Sequence, residues 1–370
     1  MTRPIEGVGT AVAAFLGSAG DGPIGDPVDI DVGGWGTDED AIWGDLHASP
    51  LRRALRSYFD NGGASAVAVR VADTGIDGVR GGLEALERVD LVNLLVLPAE
   101  SAARADAHEI VAEAVAFCER RRAMLLVDPP ASWSSLEAIR AAIADGAQAA
   151  VGTASSNAAL YAPRLRRTDP SRAGSVETFA ASAAVAGVLA RSDAAHGVWS
   201  APAGTDADVR GADGLEFDLG NRDAESLNTA GISTLRTFAG HGPVVWGART
   251  LAGADAAASA WKYVPVRRTA LFLEESLDRG LQWTRFEPNA EALWEEVRES
   301  VGAFLHELFR VGAFRGNAPD RAYFVKCDHD TVSERDIDAG DLPVFVGFAP
   351  IRPAEFVVLH IRARARRPGD

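Results

Sequence analysis

The sequence predicts an α/β central domain, a mostly parallel sheet covered by helices, joined to an α+β C-terminal domain, with an extended strand arm at each end of the chain. Three observations predict this. Between about residue 40 and residue 240, short apolar runs alternate with amphipathic stretches, the pattern of a parallel sheet under helices. After Gly240, strand-like segments dominate around one long helix. Both termini carry strand-like segments of their own.

At the N-terminus, "TAVAAFLG" (10–17) reads as a strand, and the glycine- and proline-rich "GSAGDGPIGDP" follows at once. A strand cut off in this way must pair somewhere. Residues 1–20 are therefore expected to form an arm, with Val8, Thr10, Val12 and Phe15 along it. In the body, 21–240, "DEDAIWGDL" (38–46) and "SPLRRALRSYFDNGG" (49–63) predict helices, the second capped at Gly62-Gly63. "ASAVAVRVA", "LVNLLVLP" and "AMLLVDPP" predict buried strands, the last two stopped by proline. "GGLEALERVD", "SAARADAHEIVAEAVAFCERRR" and "SLEAIRAAIADG" predict the helices between and after them. "AALYAPRL" predicts a strand, and "SVETFAASAAVAGVLARSDAAHG" (175–197) one long alanine-rich helix.

In the second domain, 241–353, "VVWGARTL", "VPVRRTALFLEESL" (264–277), "RAYFVKCD" and "VFVGFAPI" are strand-like. One helix stands among them at 291–314, with Trp294, Val297, Val301, Phe304, Leu305 and Leu308 at helical spacing. The C-terminal arm, 354–370, alternates strictly: Phe356, Val358, His360 and Arg362 on one face, Val357, Leu359, Ile361 and Ala363 on the other.

Composition narrows function. The chain has 370 residues, 47% apolar and 24% charged, which fits two or three globular domains. No run of about 18 apolar residues predicts a membrane span. Glu6 and Gly9 break the one N-terminal run that could mimic a signal peptide. A net charge of −15 argues against a nucleic-acid groove. Two distant cysteines, Cys118 and Cys327, make neither a disulfide framework nor a metal site and fit a reducing compartment.

The chemistry-bearing patterns are weak. There is no G-x-S-x-G elbow and no GK[ST] phosphate loop. His196 and His241 lie in loops and are the candidate bases of an α/β hydrolase, the alternative reading; "CDHD" (327–330) reads as a strand-to-turn transition. Glu274-Glu275 and Glu295-Glu296 are neighbours on one chain segment, so neither pair converges as an acid/base dyad. Arg249, Arg267 and Arg268 supply counter-charges, and no catalytic, cofactor or metal residue is expected.

The blocks "AGVLARSDAAHGVWSAPAGT" (186–205), "GISTLRTFAGHGPVVWGARTLAG" (231–253) and "WKYVPVRRTALFLEESLDRGLQWTRFEPN" (261–289) carry a resemblance. With "LWEEVRESVGAFLHELFRVGAFRGNAPDRAYFVKCD" (293–328) and "VGFAPIRPAEFVVLHI" (346–361), they resemble contractile tail sheath proteins in order and spacing. Such proteins occur in myophage tails, R-type pyocins and extracellular contractile injection systems. The resemblance implies a non-catalytic, subtilisin-like body and a structural subunit assembled in the cytoplasm. It implies stacking as hexameric rings around an inner tube, with baseplate and cap proteins as further partners, and no nucleic acid and no membrane insertion. It also implies that the terminal arms add strands to neighbouring copies. Arg249, Arg267, Arg268, Glu274, Glu275, Glu295 and Glu296 are then expected at the tube-facing or inter-subunit surfaces. A sheath-related cap or baseplate component is a further alternative. The chain lacks the outer domains of many phage sheaths, which suggests a compact sheath of the pyocin or injection-system kind.

Overall fold

The apolar runs of the first 240 residues do form adjacent parallel strands, and one of them is the strand that the sequence assigns to an arm. The computed structural model describes residues 3–36, 42–46, 49–169, 174–351 and 356–367. The chain divides into two units: Gly9–His196 with Ala201–Arg267, and Met1–Val8 with Gly197–Ser200 and Arg268–Asp370.

The larger unit is built on an eight-stranded sheet. Its strands are β1 (Ala13–Gly17), β2 (Val28–Asp31), β3 (Ser65–Arg70), β4 (Leu94–Val96), β5 (Met124–Val127), β6 (Ala158–Ala162), β10 (Ser233–Phe238) and β11 (Gly242–Val245), in the spatial order β11-β10-β6-β5-β4-β1-β3-β2. The six inner strands are parallel, and β2 and β11 are antiparallel edges. Helices cover both faces, as burial of both faces of a parallel sheet requires. On one face Ala14, Leu16, Val67 and Leu125 pack with α2 (Ile76–Leu86) and α3 (Ala107–Arg120). On the other, Phe15, Ala68 and Leu126 pack with α1 (Pro50–Asp60) and α6 (Ser182–His196). The helices α4 (Leu136–Ala142), α5 (Ala147–Val151) and α7 (Asn221–Thr229) and a small sheet of β7 (Leu165–Asp169), β8 (Ser175–Phe179) and β9 (Gly214–Leu215) complete the unit.

Two caps show how sequence sets these helices. Ser49 accepts the amide of Arg52 and Pro50 opens α1, so an orphan donor is satisfied and the first φ is preset. Ser182 at the start of α6 donates its amide to Asp128 Oδ1 at 2.9 Å and its hydroxyl to Oδ2, so a carboxylate at the end of β5 caps the helix. α6 crosses α1 at Gly187, where a Cβ would lie 2.3 Å from the carbonyl oxygen of Tyr58 and 2.6 Å from Asn61 Cβ. Gly187→Ala is therefore expected to destabilise the unit by about 1–3 kcal/mol through overpacking, despite alanine's higher helix propensity. Urea denaturation giving an unchanged or raised midpoint would contradict this contact.

In the smaller unit, β12 (Tyr323–Lys326), β13 (Asp341–Phe348) and β14 (Val357–Arg364) form an antiparallel sheet. Most of α8 (Val264–Gly280) and all of α9 (Glu291–Arg310) belong here, and α10 (Glu334–Ala339) opens on a Ser333/Asp336 capping box. Leu293, Trp294, Val297, Val301, Phe304 and Leu305 form the buried stripe of α9.

The fold class is as predicted, and several expectations are corrected. The described part of the expected N-terminal arm, residues 3–20, is not free. Phe15 is fully buried in β1, between β3 and β4. Val12 exchanges hydrogen bonds with Asn93, and its carbonyl also accepts from Leu94. Thr10 donates to Asp193 at 2.7 Å, and Val8 donates its amide to Ser276 at 3.1 Å. All four side chains or backbones are thus engaged within the chain. The division falls at Arg267/Arg268 rather than Gly240/His241, because β11 still belongs to the large sheet. "VPVRRTALFLEESL" is helical, not strand. "SVETF" is β8, and the helix begins only at Ser182. "AALYAPRL" is split at Pro163 between β6 and β7, which lie in different sheets. In "DEDAIWGDL", residues 38–41 lie outside the described residues and Ile42-Trp43 form a turn. The C-terminal strand is not free either: all of β14 pairs with β13.

Candidate functional site

The stretch "VVWGARTLAG" ends the large sheet and folds back on itself. Gly247 and Gly253 are there for close approach, since a Cβ would meet Asn228 Oδ1 at 2.3 Å or the Lys262 carbonyl oxygen at 2.5 Å. Arg249 donates to the Gly253 carbonyl at 2.8 Å and to Asp255, which also pairs with Lys262. These two cations hold the Asp255 carboxyl down at about 2. Arg267 donates to Asn157 at 2.9 Å and stacks on Trp261. The cationic side chains of this region tie a loop together.

Among the described residues of the larger unit, nothing converges as a catalytic constellation. The carboxyl ends of β1, β4 and β5 open into a crevice of about 300 Å³, lined by Leu51, Val96, Asp128, Arg164, Arg167 and Ser182 among others. Ligands of α/β sheets bind at such ends. Here, however, Asp128 is the cap of α6, and burial pushes its carboxyl up to about 6 against the pull of its hydrogen bonds. Arg164 pairs with Glu216 at 2.6 Å and Arg167 with Glu177 at 3.1 Å. Among the described residues no histidine or cysteine lines the crevice, and His196 and His241 are exposed elsewhere. Cys118 and Cys327 are buried, and burial pushes the Cys327 thiol up to about 12, away from reactivity. Among the described residues no group of three His, Cys, Asp or Glu could hold a metal, and "CDHD" is a turn closed by Asp328 and Thr331.

What remains are edges and faces. The β11 edge of the large sheet is covered, with Val245 donating to Ala207 at 3.0 Å and Val209 to Pro243 at 2.8 Å. The β2 edge carries exposed Asp29 and Asp31, charges that discourage strand addition. In the smaller unit β14 is an edge strand. Its C-terminal end is covered where Arg366 donates to the Glu287 carbonyl at 2.9 Å. Among the described residues no backbone hydrogen bond reaches its outer side between Val357 and Ala363.

The expected surface residues therefore separate. Phe356, Val358, His360 and Arg362 are exposed, the last three on β14 with its open side. Glu295 is exposed on α9. Arg268 is buried, Glu275 accepts from Arg279 at 2.7 Å, and Glu274 and Glu296 are partly buried and already engaged. The residues missed are Phe324, Lys326 and Phe345, which the strand register brings beside Val358 and His360. Period-two alternation in "AYFVK" and "VFVGF" was the available signal.

Comparison with known proteins matches residues 74–251 to the phage tail sheath protein central domain and residues 256–364 to the phage tail sheath C-terminal domain. A prophage major tail sheath protein of Pseudomonas aeruginosa (strain UCBPP-PA14) is 28% identical over 275 residues, 71% of this chain and 62% of that one. The tail sheath protein of Vibrio phage KVP40 is 26% identical over 180 residues, 48% of this chain. The alignments span 62% and 26% of the lengths of these relatives. The anti-feeding prophage, in its helical sheath in the contracted state and in its baseplate, superimposes with a TM-score of 0.77 at 26% identity, covering 97% of this chain and 94% of that one.

Proposed function

The chain belongs to the phage tail sheath family, and from that premise we propose that it is the structural subunit of a contractile sheath, polymerising as stacked hexameric rings around an inner tube. The family is one of structural proteins, not enzymes. The observation that carries the reading is the match of both sheath domains, in order, over most of the chain. Contraction is then a rigid-body switch between two interface arrangements, which drives the tube forward. Baseplate and cap proteins bound the stack, and the particle is a phage tail or a tail-like injection device. No helix among the described residues is long and apolar enough to cross a membrane.

The open side of β14 supports strand addition between copies at the C-terminal end, with Phe356, Val358, His360 and Arg362 as the exposed row beside it. The N-terminal segment is not part of that proposal, since β1 is internal. Negative-stain electron microscopy of the purified chain, alone and with the inner-tube protein, tests the reading. Striated hollow tubes are expected. Small closed oligomers under both conditions would refute it, since a helical assembly requires heterologous contacts that do not close.

A further inference from the structure

The smaller unit has two outward surfaces of opposite charge. In its sheet, odd-numbered residues of β12 and even-numbered residues of β13 meet α9 and the turn after it: Tyr323 shares a hydrogen bond with His306 at 3.0 Å, and Phe348 packs against Phe314 with ring centroids 5.7 Å apart. The other face of the sheet points away from α9. Register sets Lys326, Phe345 and His360 in one row across that face, Pro343 with Arg362 in another, and Gly347 between Phe324 and Val358 in a third. Arg364, at the end of the same strand, pairs with Asp341 at 2.6 Å. Lys326 and Arg362 have no ionic partner among the described residues. Val358, His360, Arg362 and Arg364 are exposed along β14.

On the far side of the unit, α9 turns its buried stripe inward and exposes Glu291, Glu295 and Glu299, flanked by Ala292 and Ala303. Glu295 and Glu299 have no ionic partner among the described residues. Carboxylates four residues apart repeat about every 6 Å along a helix. Alternate residues repeat about every 6.7 Å along a strand. Three glutamates of α9 are thus nearly in step with His360, Arg362 and Arg364.

We propose that the acidic stripe of α9 in one copy docks on the basic sheet face of β14 in the next copy. The proposal rests on the sheath reading, and it names the surfaces that reading leaves open. Like faces brought together would oppose like charges, whereas stripe to sheet attracts. Because the two surfaces lie on opposite sides of one unit, the contact is heterologous and repeats in one direction, as a polymer requires. Phe345 and Val358 give the sheet face apolar ground, on which the alanines of the helix can lie.

The test uses two full-length double variants, E295R/E299R and K326E/R362E. Each alone is expected to lower tube yield at least about tenfold, given the several kcal/mol that juxtaposed like charges cost. An equimolar mixture is expected to recover tubes, because alternating copies set each reversed helix on a reversed sheet and each native helix on a native sheet. Mixing cannot rescue a folding defect, so recovery separates the contact from instability. If a reversed variant is insoluble, E295Q/E299Q and K326Q/R362Q replace the pair, with yield read against ionic strength: a flattened salt dependence is expected and an unchanged one overturns the proposal. Tubes of wild-type yield from either reversed variant, or no recovery on mixing, also overturn it and leave the sheath reading standing. Loss of co-assembly with the inner tube while the chain still polymerises alone would give the sheet face to the tube and overturn it likewise. A wild-type chain that forms no tubes, with or without the inner tube, removes the sheath reading itself.

Discussion

A chain lacking residues 1–18 is expected not to fold its larger unit. β1 sits between β3 and β4 in the middle of the parallel sheet, with all five residues buried. Removing it takes away the Phe15 and Leu16 side chains, about 2–3 kcal/mol each. It also leaves the facing backbone groups of β3 and β4 unpaired in a core, at about 1–3 kcal/mol per orphan. Together these exceed the roughly 5–15 kcal/mol by which a domain is stable. A chain starting at Gly9 keeps β1 and loses only the contacts of residues such as Ile5 and Arg3, so it is expected to fold. Circular dichroism with thermal melting distinguishes the two. A cooperative, wild-type transition from the chain lacking residues 1–18 would mean that the strand is dispensable to its own body, and would restore the idea of an N-terminal arm given to a neighbour.

The internal position of β1 does have a signal in the sequence. "AVAAFLG" is apolar on both faces, the pattern of a strand covered on both sides, whereas a strand lying on one surface alternates. The C-terminal segment does alternate, and its burial follows the sequence residue by residue. Helix α8 is disguised by its Val-Pro-Val start, although Val266, Ala270, Leu273, Leu277 and Leu281 are spaced by three and four residues, and all are buried. Other features have no local signal. The loop role of Arg249 depends on where Asp255 and Lys262 come to lie, and the aromatic and basic face of the small sheet depends on register between three segments. Charge content predicts ionic pairing; only the fold decides which charges pair inside a copy and which remain for another.

Asp128 gives the clearest pH signature. Its ordinary carboxyl value of 3.8 is raised to about 6 by burial at the N-terminus of α6. Between these values the folded chain keeps a proton that the unfolded chain has released, so stability falls as pH rises. The contribution is fully present below about 4 and is lost as pH climbs through about 6. A difference of about two pH units corresponds to about 3 kcal/mol. Asparagine can keep the geometry, its oxygen accepting from the Ser182 amide and its NH₂ donating to the Ser182 hydroxyl. D128N is therefore expected to match the wild type near pH 4 and to exceed it by up to about 3 kcal/mol at pH 7, measured by urea denaturation at each pH. Asp255 works in the opposite sense, because its cations lower its value to about 2. Its stabilisation is present above about 4 and disappears only as pH falls through about 2, so it stays constant across the window in which Asp128 titrates. Parallel stability curves for wild type and D128N from about pH 4 to 7 would show that the buried carboxylate remains ionised throughout, with the helix N-terminus and Ser182 outweighing the loss of water.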